Sequence, residues 1–392
     1  MSTKAGGLAA SALTLLIVGL STGAAVYYLM FGMLAAMLAL AAATALSTLL
    51  TVRIKLKTPR AQVVRGGSVT LNLFVKRYTL LPISEIVVFI SSAADEGIFF
   101  RMPVTLGPFE GKDYRFALNC PHRGRFSVGP KRLEVSDAFG IFKFRRKIKT
   151  EQSALEVLPR VLHAAPMVLE PGDIGPQTRI RMAEDAASPS DVRAWREGDV
   201  LKKVHWKLTM RKRELMVRTY EESARPDTLI LLDVSPINAI RSKALTIEDA
   251  LCEAALSMVK AQLSADHPVR MPLTSQDPIE LAGRGMADFS RFLEAVTHLN
   301  FDGQYLFEQL ALVEMRRIQR TGGMILITAR LTANIADAAL NMRRSGMQVM
   351  FMWITDSPRT ETMELLTRMS LGGVMTRRVN PWQDLADGSV SA

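Results

Sequence analysis

At 392 residues with 48% hydrophobic content, the chain holds enough material for two domains of ordinary size plus a membrane segment. Its formal charge of +11 admits a nucleic-acid partner, but basic residues flanking a membrane segment account for it as readily. The two cysteines, Cys120 and Cys252, lie far apart in apolar surroundings, which excludes a disulfide framework and a cysteine-based zinc site.

Residues 8–50 carry no charged side chain. As one helix these 43 positions would extend roughly 64 Å, about twice the ~30 Å hydrocarbon core, so two crossings are predicted with the turn between Ser21 and Met30. Lys4 precedes the first span and Arg53, Lys55, Lys57 and Arg60 follow the second, which by the positive-inside rule predicts that both ends are cytoplasmic. A rival reading makes residues 1–25 a signal peptide that is cleaved. Ala35, Ala39 and Ala43 form a small-residue stripe on which another helix can approach, though alanine is common in such spans.

Between residues 53 and 159 the period shortens to two. Val69, Leu71, Leu73 and Val75 share one strand face, and Tyr114, Phe116, Leu118 and Cys120 share another. Turn pairs such as Gly66-Gly67 and Gly129-Pro130 separate the runs, so a β-sandwich-like domain is expected over 53–165. Five of the seven residues 143–149 are basic, a pattern that fits a solvated hairpin rim or a phosphate-docking strip. Residues 166–226 then read as a connector, rich in Pro and Gly up to 190, that carries a motif.

That motif spans residues 191–222, DVRAWREGDVLKKVHWKLTMRKRELMVRTYEE, with nine Lys or Arg against four carboxylates between Asp191 and Arg218. It contains Arg193, a Gly198-Asp199 turn, the triplet His205-Trp206-Lys207, Arg211 and, on a strand-like alternation, Val217 and Arg218, followed by Glu221. His205 beside Asp199 invites a general-base reading, but no nucleophile signature accompanies it. Three aromatics, Trp195, Trp206 and Tyr220, are too few for a base-stacking platform. The expectation is structural, with Trp206 plugging the seam between the sandwich and the α/β domain inside an ion-pair lattice of Arg193, Asp199 and Arg218. A partner-docking surface is the alternative.

Immediately after it, residues 228–235 read TLILLDVS, a buried strand delivering Asp233 and Ser235 to a sheet's carboxyl edge. Motif and strand together resemble the family called domain of unknown function 58 (DUF58), and the segments around residues 122–130 and 136–142 resemble that family's N-terminal β region. The resemblance implies a von Willebrand factor type A-like domain, and relatives paired with MoxR-type AAA+ ATPases imply such a partner.

From 227 to 382 the pattern alternates. Helices are predicted over 246–263, 286–299, 305–320, 332–344 and 360–369, and strands over 269–273, 324–328 and 349–354, ahead of a polar tail, 383–392. This alternation predicts a doubly wound α/β sheet. Type A-like domains that bind Mg²⁺ use Asp-x-Ser-x-Ser, a distant Thr and a further Asp. Here Ile237 replaces the second Ser, and Ala329 or Arg330 stands where a carboxylate is expected. No metal site and no cofactor is therefore expected, and no phosphate-binding glycine loop is present. Asp233, Ser235 and Arg330 are read as a degenerate remnant lining a cleft, with Arg330 contacting an acidic group on the partner.

The function expected is that of a membrane-anchored, non-catalytic scaffold working with the ATPase in protein assembly or envelope maturation. A membrane-tethered nucleic-acid binder is the alternative, and a hydrolase centred on Asp199 and His205 is a third.

Overall fold

The computed structural model describes residues 3–57, 61–79, 85–91, 99–137, 139–149, 153–167, 189–196, 204–220, 227–317 and 321–382. Two compact units divide between Leu158 and Pro159.

The first unit opens with two helices, α1 (Thr3–Thr22) and α2 (Ala25–Thr51), both long and apolar enough to cross a membrane. Gly23, at φ +69°, makes the break between them, inside the predicted window. Helix α2 is longer than a hydrocarbon core requires, and its last turns are not given over to lipid. Ala41, Thr44, Ala45, Thr48 and Leu49 are buried, and Ala45 and Leu49 belong to the apolar core of the strands that follow.

Those strands are β1 (Arg53–Leu56), β2 (Ala61–Val64), β3 (Ser68–Lys76), β4 (Glu85–Ser91), β5 (Phe99–Val104), β6 (Gly111–Asn119), β7 (Gly124–Val128), β8 (Pro130–Ser136), β9 (Lys143–Lys147) and β10 (Ser153–Leu158). They form three small sheets, β1-β3-β6, β2-β10-β7 and β5-β4-β8-β9, antiparallel except for the β2–β10 pairing. Alternation is the cause. Leu71, Leu73 and Val75 of β3, and Ile86, Val88 and Ile90 of β4, face one shared core, while their neighbours in sequence are more exposed.

In the second unit, β11 (Pro189–Ala194) and β12 (Met216–Tyr220) pair antiparallel around a short helix, α3 (Trp206–Lys212). The remaining elements are β13 (Asp227–Leu232), α4 (Arg241–Ser264), β14 (Val269–Leu273), β15 (Ile279–Gly283), α5 (Phe289–Thr297), α6 (Phe307–Arg317), β16 (Thr321–Thr328), α7 (Ala333–Arg344), β17 (Gln348–Ile354), α8 (Thr360–Leu371) and β18 (Met375–Val379). Their sheet runs β15-β14-β13-β16-β17-β18, parallel but for the edge strand β15.

Both faces of this sheet are covered, which explains its continuous apolar strands. Ile230, Leu232, Ile325 and Ile327 pack toward α4 and α5, whereas Leu229, Leu231, Met324 and Leu326 pack toward α6, α7 and α8. The strands β15 and β18 escaped the sequence reading. Ile279–Gly283 exposes three of its five residues and Met375–Val379 is only partly apolar, so neither shows the core-strand signature. The predicted helices all form, but α5 is confined to Phe289–Thr297 behind a 3₁₀ turn at Met286–Asp288.

Residues 160–167, upstream of and around the expected boundary at 165, pack with the α/β unit. Leu162 and Met167 join its core, the Leu162 N–H donates to Ser257 Oγ at 2.9 Å, and Arg160 Nε lies 3.2 Å from the buried Glu253 carboxylate.

Candidate functional site

Strands β13 and β16 are neighbours from which successive strands diverge to opposite sides, the topological switch point at which open α/β sheets bind ligands. Asp233 follows β13 and Thr328 ends β16, so the topology brings them together across 95 residues of sequence. Thr328 Oγ1 donates to Asp233 Oδ2 at 2.7 Å. Ser235 donates to Oδ1 twice, from its hydroxyl at 2.7 Å and from its backbone N–H at 3.1 Å.

Arg330 completes the cluster. Its Nη2 lies 2.9 Å from Oδ1 and 3.0 Å from Oδ2 of Asp233, and its Nε lies 3.2 Å from Oδ2. The Asp233 side chain is 4% exposed, so a full negative charge there requires a compensating partner, and Arg330 is that partner. The backbone that carries the guanidinium is fixed: the Arg330 backbone N–H donates to Thr328 Oγ1, and the Trp353 indole donates to Ala329 O at 3.3 Å.

Arg330, expected to contact an acidic group on a partner, pairs here with a buried carboxylate of its own chain while its side chain stays 46% exposed. The donor set also fails the fit for Mg²⁺. Asp233 Oδ1 accepts from Arg330 and Ser235 and Oδ2 from Arg330 and Thr328, and an arginine in direct contact opposes a second cation. Thr328 is the member that sequence reading missed, because it lies inside a strand, not on the loop near Asp302.

That loop is nevertheless part of the same edge. The Gly303 N–H donates to Val234 O at 3.0 Å, and a Cβ at Gly303 would come within 2.9 Å of Val234 Cγ2 and 3.1 Å of Thr274 O. Only glycine permits this close approach, which carries Asp302 to the carboxyl edge, where its Oδ1 accepts from Gln276 N. Lys243 and Asp356 pair at 2.7 Å on the far side of the edge, and hydrogen bonding by Lys243 holds the Asp356 carboxyl below the usual range. Around these polar groups Ile240, Tyr305 and Leu306 are exposed.

Within the motif of residues 191–222, the described part centres on the short helix α3. His205 N-caps α3: its Nδ1 accepts the Leu208 N–H at 3.2 Å, and its own N–H donates to Met216 O at 2.7 Å. Thr209 Oγ1 accepts the Met216 N–H at 3.0 Å, and Arg213, at φ 58°, closes the helix. Val204, Met216 and Val217 are buried beneath.

Trp206 lies on the open face of this short helix. It is 61% exposed, and Met210, one turn on along the same helix face, is 81% exposed, with Lys207 and Arg211 exposed beside them. Arg193 donates from its guanidinium to Ala194 O at 3.1 Å, and its expected lattice partners are not among the described side chains. Gly198, Asp199 and Glu221 lie outside the described residues, as does the side chain of Arg218.

Among the described residues no group of three His, Cys, Asp or Glu side chains could hold a metal ion. The chain is thus defined as two apolar helices leading into small antiparallel sheets, followed by an α/β unit whose switch-point carboxylate is internally neutralised.

Residues 191–365, which contain both the motif and the Asp233–Arg330 cluster, match the family model described as "Protein of unknown function DUF58". The β-rich segments around 122–142 lie outside that match. No curated protein matches the chain. Among solved structures, it is similar to the CARDB domain of a Pyrococcus furiosus protein, 16% identical over 27% of this chain and 87% of that one, with a TM-score of 0.19. It is also similar to the sporulation control protein Spo0M of Bacillus subtilis, 11% identical over 37% of this chain and 57% of that one, at 0.16. A β-glucosidase from Listeria innocua is 14% identical over 27% of this chain and 16% of that one, at 0.17. Likenesses at these scores carry nothing about fold or function.

Proposed function

We propose that the chain is a membrane-anchored, non-catalytic interaction protein of the bacterial inner membrane, with both soluble units cytoplasmic and a von Willebrand factor type A-like α/β unit as its binding module. The observation that supports this best is the Asp233–Arg330 cluster. At the position where an open α/β sheet places its ligand site, the chain's own guanidinium takes up the carboxylate, leaving an edge suited to direct contact with a protein surface.

The exposed Ile240, Tyr305 and Leu306 bordering that edge supply the apolar contact such docking needs, and Trp206 with Met210 offers a second apolar ridge in the family-matched region. The DUF58 resemblance supplies the partner, a MoxR-type AAA+ ATPase, with assembly or envelope maturation as the process served. Topology follows from the 43-residue charge-free stretch and the basic residues after it.

The experiment is co-purification from membranes with the ATPase. Ile240→Asp and Tyr305→Asp should each reduce recovery of the ATPase several-fold while the melting midpoint stays unchanged. Undiminished recovery with both variants would remove this edge as the docking site. Salt-sensitive retention of oligonucleotides by Trp206 and Lys207 would favour the nucleic-acid reading instead.

A further inference from the structure

The strand register of the first unit gathers three loops at one end. Strand β1 begins directly after α2, and Arg53 pairs with Lys76, so the end of β3 lies where the apolar helix enters. Glu85 at the start of β4 pairs with Ser136 at the end of β8, and Ile86 pairs with Val104 at the end of β5. The segments after β3, after β5 and between β8 and β9 therefore share that end. Arg77 ties them to the helix: it is fully buried and donates from Nη2 to Thr48 Oγ1 of α2 and from Nη1 to Leu106 O, both at 3.4 Å.

Each of the three segments exposes one aromatic ring. Tyr78 is 45% exposed, Phe109 59% and Phe139 64%. Phe109 has φ 56°, a left-handed conformation that Gly or Asn adopts at less cost, so a phenylalanine is kept at a turn tip where neither burial nor backbone geometry asks for one. Phe139 is held out by Asp137, a buried carboxylate whose two oxygens accept the N–H groups of Phe139 at 3.0 Å and Phe142 at 2.6 Å.

Cations lie among the rings. Arg53 and Lys76 stand over Tyr78 at 5.8 and 4.7 Å from its centroid, and Lys143 is exposed beside the third loop. Of the acids at this end, Glu110 is taken up by Lys112 at 2.9 Å and by the Gly107 N–H; Glu85 is exposed.

We propose that this end of the β unit is a membrane-interface binding surface, with Tyr78, Phe109 and Phe139 seated in the headgroup layer and Arg53, Lys76 and Lys143 contacting lipid phosphates. Continuity with α2 selects the bilayer as the occupant. The helix that leaves the strands at this end is the one apolar enough to span, and rings with adjacent cations are the composition that membrane–water interfaces favour. The surface would fix the β unit against the membrane instead of leaving it on a swinging tether.

The inference rests on the membrane-anchored reading, and its test separates the two. The full chain carrying Tyr78→Cys, Phe109→Cys or Phe139→Cys, with Val64→Cys as a control at the opposite end of β3, is labelled with an environment-sensitive fluorophore. Each is then placed in vesicles of phosphatidylcholine and phosphatidylglycerol. Cys120 and Cys252 are buried and escape labelling.

The first three probes should be blue-shifted, strongly quenched by brominated lipid and shielded from iodide, whereas the Val64→Cys probe, 50% exposed in the native residue, should be quenched by iodide. Protein that survives an alkaline wash with the vesicles, but whose three loop probes answer to iodide as the control does, would overturn the surface and leave the anchor standing. Release of the protein by that wash would overturn both.

Discussion

Arg330 Nη2 touches both oxygens of Asp233, at 2.9 and 3.0 Å, so one side chain from the end of β16 satisfies a buried charge at the end of β13. Removing only the arginine leaves that charge without its counterion. Arg330→Met should therefore destabilise the α/β unit, by about 1–3 kcal/mol, below the range for fully buried pairs because the Arg330 side chain is 46% exposed and solvent can replace part of it. Chemical denaturation measures this. The double variant Asp233→Asn/Arg330→Met should lose less than the sum of the two singles, and strict additivity would mean the pair is not energetically coupled.

Gly303→Ala tests the close approach at the same edge. The added methyl meets Val234 Cγ2 and two carbonyl oxygens, Thr274 O and Val234 O, backbone atoms that cannot swing aside. A loss of about 1–3 kcal/mol is expected from the overpacking, and a variant as stable as the parent would show that the loop relaxes freely.

Trp206→Ala should change the melting midpoint little, corresponding to less than about 1 kcal/mol, since a ring 61% exposed loses little burial on truncation. A loss of about 3 kcal/mol or more, as for a core aromatic, would place the ring in an apolar seam after all.

The Asp356–Lys243 pair predicts a pH dependence. Its folded carboxyl titrates below the unfolded value, so the pair stabilises the fold above the ordinary aspartate range near pH 4, and that contribution disappears as pH falls through the folded pKa. Lys243→Met should cost at most about 1 kcal/mol at pH 7, given that Lys243 is 42% exposed, and less at pH 2 as the carboxyl takes up its proton. An equal deficit at both values would mean the lysine acts through packing.

Thiol accessibility provides a check on the core. Cys120 is buried, and burial pushes its thiol above the usual range, so thiolate is scarce at neutral pH. Neither cysteine should react with a disulfide reagent until denaturant is added, and a prompt native reaction would show that one of the two cores opens.

Much of the architecture was set by pattern alone. An uncharged stretch twice the length of a bilayer core forces a helical pair, period-two alternation yields the small sheets, and long apolar strands between amphipathic helices give a sheet covered on both faces. These features are local, and local periodicity is what a sequence displays. Strands β15 and β18 were illegible because edge strands bury too little to mark themselves.

The sites were decided by tertiary structure. The sequence singled out Asp233, Ser235 and Arg330, but only the pairing of β13 with β16 brings Arg330 and Thr328 onto the Asp233 carboxylate. The motif tryptophan had no periodic pattern to place it, and in the folded chain it sits exposed at the start of the helix that His205 caps. The three aromatic loop tips are separated by about thirty residues each and have no common pattern. Strand register, a long-range hydrogen-bonding choice, is what collects them at one end.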